Sequence, residues 1–195
     1  MCVAGEYWIK FLKEDELTKP ASSGWLFLYD FFSSFKNAVA VIFIIFALVA
    51  RPVWVDGKSM LPTLQNNDWL IVTEIKGKPQ RGDIIVSCQP NVYNEQLIKR
   101  VIAVAGDTID IDFSTGSVYL NGELYNEPYI NEGTFTGFDV DFPLTVNEGC
   151  VFVMGDNRNN SLDSRSSSIG LIKEEYILGK ARVRFFPPGD TNIYK

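Results

Sequence analysis

The sequence predicts a mainly β domain behind one long apolar helix. Three observations carry that expectation. An uncharged run of thirteen residues lies near the N-terminus, and seven short β-branched runs follow from residue 53 onward. The length of 195 residues suits about one domain once the helix is set aside.

The helix comes first. Residues 38–50, AVAVIFIIFALVA, fall short of the roughly 20 apolar positions that cross a bilayer. Upstream, GWLFLYDFFSSFKN continues the helical pattern, with Asp30, Ser33, Ser34 and Asn37 on one narrow polar stripe and aromatic residues around the rest. A helix from Trp25 to Ala50 would run about 39 Å, enough to span, and Trp25, Tyr29 and Trp54 suit the two interfaces. A removable signal peptide is a poor alternative, because cleavage after Ala50 puts Leu48 where a small residue is needed. A buried core helix is the other alternative, but Pro52 stops it and the rest of the chain offers few helices to pack against. The expected division is a tail over residues 1–24, a membrane-anchor helix over 25–52 and a β domain over 53–195. Lys19 and Lys36 nearly balance Arg51 and Lys58 across the span, so charge alone sets no orientation.

The strands follow in order. WLIVTEI, DIIVSC, LIKRVIAVAG, TIDIDF, SVYLNGELY, CVFVMGD and ILGKARVRFF are β-branched and bounded by turn residues. Alternation is strict in TIDIDF and KARVRFF, and Asn121-Gly122 is a tight-hairpin dipeptide. Asn131 to Phe142 reads as a loop or a weak strand insertion.

Composition excludes several classes. With a net charge of −6 and Lys99-Arg100 as the only adjacent basic pair, nucleic acid is not expected as a partner. Cys2, Cys88 and Cys150 make no C-x-x-C pair, which argues against a zinc site or a disulfide framework. Reduced thiols are the simpler expectation, and a Cys88–Cys150 bridge stays open. No metal or cofactor is expected. The chain contains no histidine, so any nucleophilic enzyme here must take its base from another side chain.

Three stretches could carry chemistry. In VDGKSMLPTL, Val55 to Leu64, Ser59 taken alone reads as a turn residue among Gly and Pro. In the LIKRVIAVAG strand, alternation puts Leu97, Lys99, Val101, Ala103 and Ala105 on one face and Ile98, Arg100, Ile102 and Val104 on the other. Each face is apolar apart from one cation. Arg100 must stay charged and so needs a carboxylate, whereas burial can strip Lys99 of its proton and leave an amine able to act as a base. A lysine that snorkels to water or pairs with a carboxylate is the structural alternative. The third stretch, GDNRNNSLDSR from Gly155 to Arg165, is a polar loop after a buried strand. Asp163 could pair there with Arg165 or serve as the counter-ion of Arg100. RGD at Arg81 to Asp83 reads as a turn into the next strand, not as an adhesion motif.

Taken together, SMLPTL, RGDIIV, KRVIAVAGD and GDNRNNSLDSR, in this order behind an N-terminal anchor, resemble the type I signal peptidases, membrane-bound Ser-Lys endopeptidases that remove signal peptides from exported proteins. The resemblance implies a signal-peptidase-like β-barrel catalytic domain with one N-terminal transmembrane helix. It also implies a single-pass protein of the bacterial plasma membrane, with a cytoplasmic tail and the catalytic domain on the extracytoplasmic side. Ser59 would be the nucleophile and Lys99 the general base. Ser161 would orient the Lys99 amine, and Asp163 and Arg165 would hold their loop against the site.

The Ser59 backbone N–H would meet the oxyanion, helped by its neighbours. Some relatives place a serine hydroxyl at the position of Gly57, which offers no side-chain donor. VDG at that point resembles the Gram-positive version. A second departure is Ala103-Val104-Ala105, where many relatives show Gly-Leu-Pro. The implied partners are preprotein signal peptides, with small residues before the cut in the A-x-A manner, and membrane lipid. Two narrower alternatives share the resemblance: a relative restricted to a few clients such as pilus or surface-protein subunits, and an inactive tethered module.

Overall fold

The computed structural model describes residues 23–74, 77–90, 95–188 and 191–194. The tail expected over 1–24 therefore lies outside the described residues up to position 22. A 27-residue helix, α1, runs Ser23–Val49, and within it Gly24–Ile44 is long and apolar enough to cross a membrane. At 1.5 Å per residue it is about 40 Å long. Trp25, Phe27 and Tyr29 are exposed on it.

The helix stops three residues before the expected boundary at 52. Pro52 disfavours helical geometry in the residue before it, and Ala50–Trp54 instead forms strand β1, antiparallel to β2, Trp69–Thr73. The remaining strands are β3 (Ile84–Ser87), β4 (Leu97–Val104), β5 (Thr108–Asp112), β6 (Ser117–Leu120), β7 (Glu123–Leu124), β8 (Leu144–Thr145), β9 (Cys150–Met154), β10 (Ile172–Lys173) and β11 (Ile177–Phe186). All seven runs read as strands from the sequence are strands. Asn121 and Gly122 both take positive φ, 54° and 84°, in the tight turn between β6 and β7. Asn131 to Phe142 is a loop.

Seven strands form one sheet in the order β1-β2-β11-β3-β4-β9-β10, and four form a second in the order β7-β6-β5-β8. The large sheet curls into a half-barrel. Gln89, just past β3, donates from Nε2 to the Leu171 carbonyl at 3.1 Å and accepts the Lys173 N–H at 2.8 Å, so one side chain links the end of β3 to the β10 edge. Ile85, Val101, Val151, Val153, Ile169 and Ile172 pack together as one apolar cluster of this sheet.

Strand β4 lies in the middle of the arrangement and is buried along most of its length. Its alternation holds only as far as Val101. A bulge against β9 between Val101 and Ala103 shifts the register, so Ala103 packs in the same cluster as Ile102, contrary to the face the sequence assigns it. Val104 joins the cluster of Val101. Cys88 and Cys150 are free thiols.

Candidate active site

Residues 55–64 form the turn that carries Ser59. Val55, Met60 and Leu64 are buried in one cluster with Leu70, Val72, Ile84 and Ile193, and they pin this turn to the sheet. Leu64 N–H donates to the Met60 carbonyl at 2.9 Å, one helical turn back. With Met60 held inward, its neighbour Ser59 faces a cleft of about 650 Å³. Val53, Trp54, Leu97, Ile98, Leu162 and Ile169 line the cleft's apolar part. Gly57, at φ +102°, occupies a conformation that residues with a Cβ rarely adopt, and its N–H is taken by Asn66 Oδ1 at 2.8 Å.

Strand β4 supplies the other wall. Lys99 sits opposite Ile85 of β3 and is only 5% exposed. Its Nζ lies 2.8 Å from Ser59 Oγ and donates to its own strand's Ile98 carbonyl at 3.2 Å. Burial holds the amine below the usual lysine range. The Asp163 and Asp156 carboxylates pull it back toward protonation, and the Arg165 guanidinium adds to the depression. A neutral Lys99 has one lone pair, and the Ser59 hydroxyl is placed to donate to it.

The GDNRNNSLDSR loop closes the site from β9. Asp163 and Arg165 form a fully buried pair, Arg165 Nε to Asp163 Oδ1 at 2.8 Å, and Asp163 Oδ2 accepts the Gly155 N–H at 3.0 Å. Arg165 also donates to the carbonyls of Arg158 at 2.6 Å and Thr136 at 2.7 Å. Of the two pairings open to Asp163, the one with Arg165 forms. Arg100 is answered by Asp156 in a two-pronged contact, 2.8 and 2.7 Å, with its guanidinium 3.9 Å from the Tyr129 ring centre.

Ser161 departs from expectation. It is buried beside Gly155, but its hydroxyl has no hydrogen-bond partner among the described residues and does not reach the Lys99 amine. The Ile98 carbonyl takes the bond expected of it.

Sequence reasoning missed three residues that tie the two walls together. Asp156 holds Arg100, next to Lys99, and also accepts from the Thr63 hydroxyl in the serine-bearing segment. Asn157 N–H donates to the Ser59 carbonyl at 3.0 Å, and Asn157 Nδ2 to the Lys58 carbonyl at 3.0 Å. Gly155 is the third: a Cβ there would run into the Ser59 carbonyl and the Ser161 hydroxyl. What selects Asp156 is the β4–β9 register, which sets Met154 opposite Arg100 and which the sequence does not show. Among the described residues no group of acidic or cysteine side chains could hold a metal ion.

What the cleft presents is a serine hydroxyl against a buried amine, in a chain with no histidine. The family model described as "Signal peptidase, peptidase S26" matches residues 28–186, and the chain belongs to that family. It is 36% identical over 178 residues to the probable signal peptidase I-1 of Synechocystis sp., covering 86% of this chain and 87% of that one. It is 34% identical over 170 residues to signal peptidase I P of Bacillus subtilis subsp. natto, covering 82% and 90%. A crystal structure of a signal peptidase I from Enterococcus faecalis V583 is 33% identical, with a TM-score of 0.45, over 53% of this chain and 97% of that chain.

Proposed function

We propose that the chain is a membrane-anchored endopeptidase that removes N-terminal signal peptides from exported preproteins, with Ser59 as nucleophile and Lys99 as general base. The single observation carrying this reading is the 2.8 Å approach of Ser59 Oγ to a buried amine in the wall of a cleft. Neutral Lys99 takes the hydroxyl proton as Oγ attacks the scissile carbonyl. The resulting ammonium gives that proton to the departing amine, leaving an acyl group on Ser59. Water then attacks the ester by the reverse sequence and restores both side chains. The Ser161 hydroxyl, buried and unpaired, turns to the Lys99 nitrogen when the ammonium forms. A buried hydroxyl left unbonded costs about 1–3 kcal/mol, which favours that rotation.

The family supports signal peptides as the substrate class. Small residues in the A-x-A pattern would sit beside Leu97, Ile98 and Leu162, which line the cleft, and the preceding apolar stretch of a signal peptide would share the bilayer with α1. Confinement to one thin layer raises the effective concentration of each for the other. The catalytic domain lies on the extracytoplasmic side, where exported chains emerge.

The test is processing of several A-x-A preproteins by wild type, Ser59→Ala and Lys99→Met in detergent. Both variants should fold and both should be inactive. A Lys99→Met enzyme with near-normal turnover would remove the assigned base.

A further inference from the structure

The Asn157 side chain bonds to one end of the peptide unit that leads into Ser59. The unit runs from the Lys58 carbonyl to the Ser59 N–H. A trans peptide is planar, so its C=O and N–H point in opposite directions and cannot turn independently. Asn157 Nδ2 holds the carbonyl at 3.0 Å, assisted by the Leu61 N–H at 3.2 Å. The N–H at the other end is thereby directed away from Asn157. Among the described residues it donates to no protein acceptor, while the nearby Gly57 N–H is already taken by Asn66.

We propose that Asn157 is a positioning residue for the oxyanion site, orienting and polarising the peptide unit whose N–H meets the developing negative charge. The proposal rests on the reading of Ser59 as nucleophile. Two effects combine. A hydrogen bond received at the carbonyl strengthens the N–H of the same unit as a donor, because bonds in series polarise one another. A donor fixed before the reaction also needs no reorganisation when the charge appears. Gly57 brings no side-chain donor to this site, so the main-chain N–H carries more of the work than it would beside a hydroxyl. The Asn157 backbone N–H binds the Ser59 carbonyl separately, at 3.0 Å, and survives any change of side chain. The turn therefore stays attached, and the carbonyl of residue 58 is left with the weaker Leu61 N–H alone.

The experiment compares full-length wild type, Asn157→Ala and Asn157→Asp in detergent, on an A-x-A peptide substrate. Each is also titrated with a peptide aldehyde and with the matching peptide amide. The aldehyde carbon bonds to Ser59 Oγ, its C=O becomes an alkoxide and the Ser59 proton passes to Lys99, so it reports on the oxyanion site; the amide reports on ground-state binding alone. Removing a whole oxyanion donor lowers turnover by on the order of a hundredfold or more, and loosening one should lower it about tenfold. Asn157→Ala should therefore lose about tenfold in kcat and in aldehyde affinity. KM, amide affinity and the midpoint of the pH profile should stay within about twofold. Asn157→Asp, which turns a carboxylate toward the same carbonyl, should lose more. Equal loss of aldehyde and amide affinity would assign Asn157 to substrate binding and overturn the proposal. So would a shifted pH midpoint with aldehyde selectivity intact, or full activity in both variants. A Ser59→Ala enzyme that still cuts the peptide would instead overturn the reading of the site, and this assignment with it.

Discussion

Lys99 can serve as a base only while neutral, and the burial that lowers its pKa also lowers the stability of the fold. Its folded-state pKa lies below that of the unfolded chain, about 10.4 for a free lysine. Between those two values the unfolded state holds one more proton than the native state, so stability rises with pH across that window. Lys99→Met, similar in size and never charged, escapes the penalty. The variant should be more stable than wild type near neutral pH, by a margin that is complete below the folded-state pKa and closes as pH rises toward about 10. Urea titrations at several pH values measure it, and a margin independent of pH would show that Lys99 carries no perturbed proton. Turnover of wild type should rise over the same range, as the amine loses its proton. A charged residue on each apolar face of one strand made Lys99 and Arg100 legible as problems the fold must solve. The solution for Arg100 was not legible, because the loop from 155 to 165 contains two aspartates and only the register of β9 decides which one faces it. The Ser161 hydroxyl was equally hidden, since its bonding depends on rotamers rather than residue type.

Strands were readable where β-branched runs are bounded by turn residues, and unreadable where pairing alone defines them. β8 and β10 are two residues each, and β1 is a helix-like run cut by Pro52, so none carries a pattern of its own. The bulge in β4 has no sequence mark either, because Val, Ile and Ala suit either face. What joins the serine-bearing segment to β4 is Asp156, which bonds Thr63 on one side and Arg100 on the other. Asp156→Ala leaves a buried guanidinium unpaired and should cost about 3–5 kcal/mol of stability, read as a lower denaturation midpoint. Replacing both partners, Asp156→Leu with Arg100→Met, removes the buried charges together and should recover most of that stability. Turnover should not recover, because the Thr63 tether is still gone. Restored activity in the double variant would reduce Asp156 to a counter-ion.

At the scale of the whole molecule, the candidate span was legible from length and hydropathy, but an aromatic patch on the β domain was not, since its members are far apart in the chain. Trp54 of β1, Trp69 of β2 and Phe185 of β11 come together on adjacent strands. Trp54 and Trp69 meet edge to face at 6.3 Å, and Trp69 and Phe185 stand 6.2 Å apart. All three are exposed, as is Phe186, which pairs with Trp69 across the sheet. Aromatic side chains favour the membrane interface, and β1 begins at the residue after α1 ends, so at most about 17 Å of chain separates Trp54 from the end of α1. Such a patch on the β domain should rest in the headgroup layer and hold the cleft near emerging signal peptides. Trp69 and Phe185 do not line the cleft, so Trp69→Ser with Phe185→Ser probes the patch without altering the site. In vesicles, processing of a membrane-inserted preprotein should fall severalfold. In detergent, cleavage of a short soluble peptide should be unchanged. Loss of the aromatic groups acts through apolar contact, so the vesicle defect should persist in high salt. Equal losses on the two substrates would place the damage in the fold and remove the case for lipid contact.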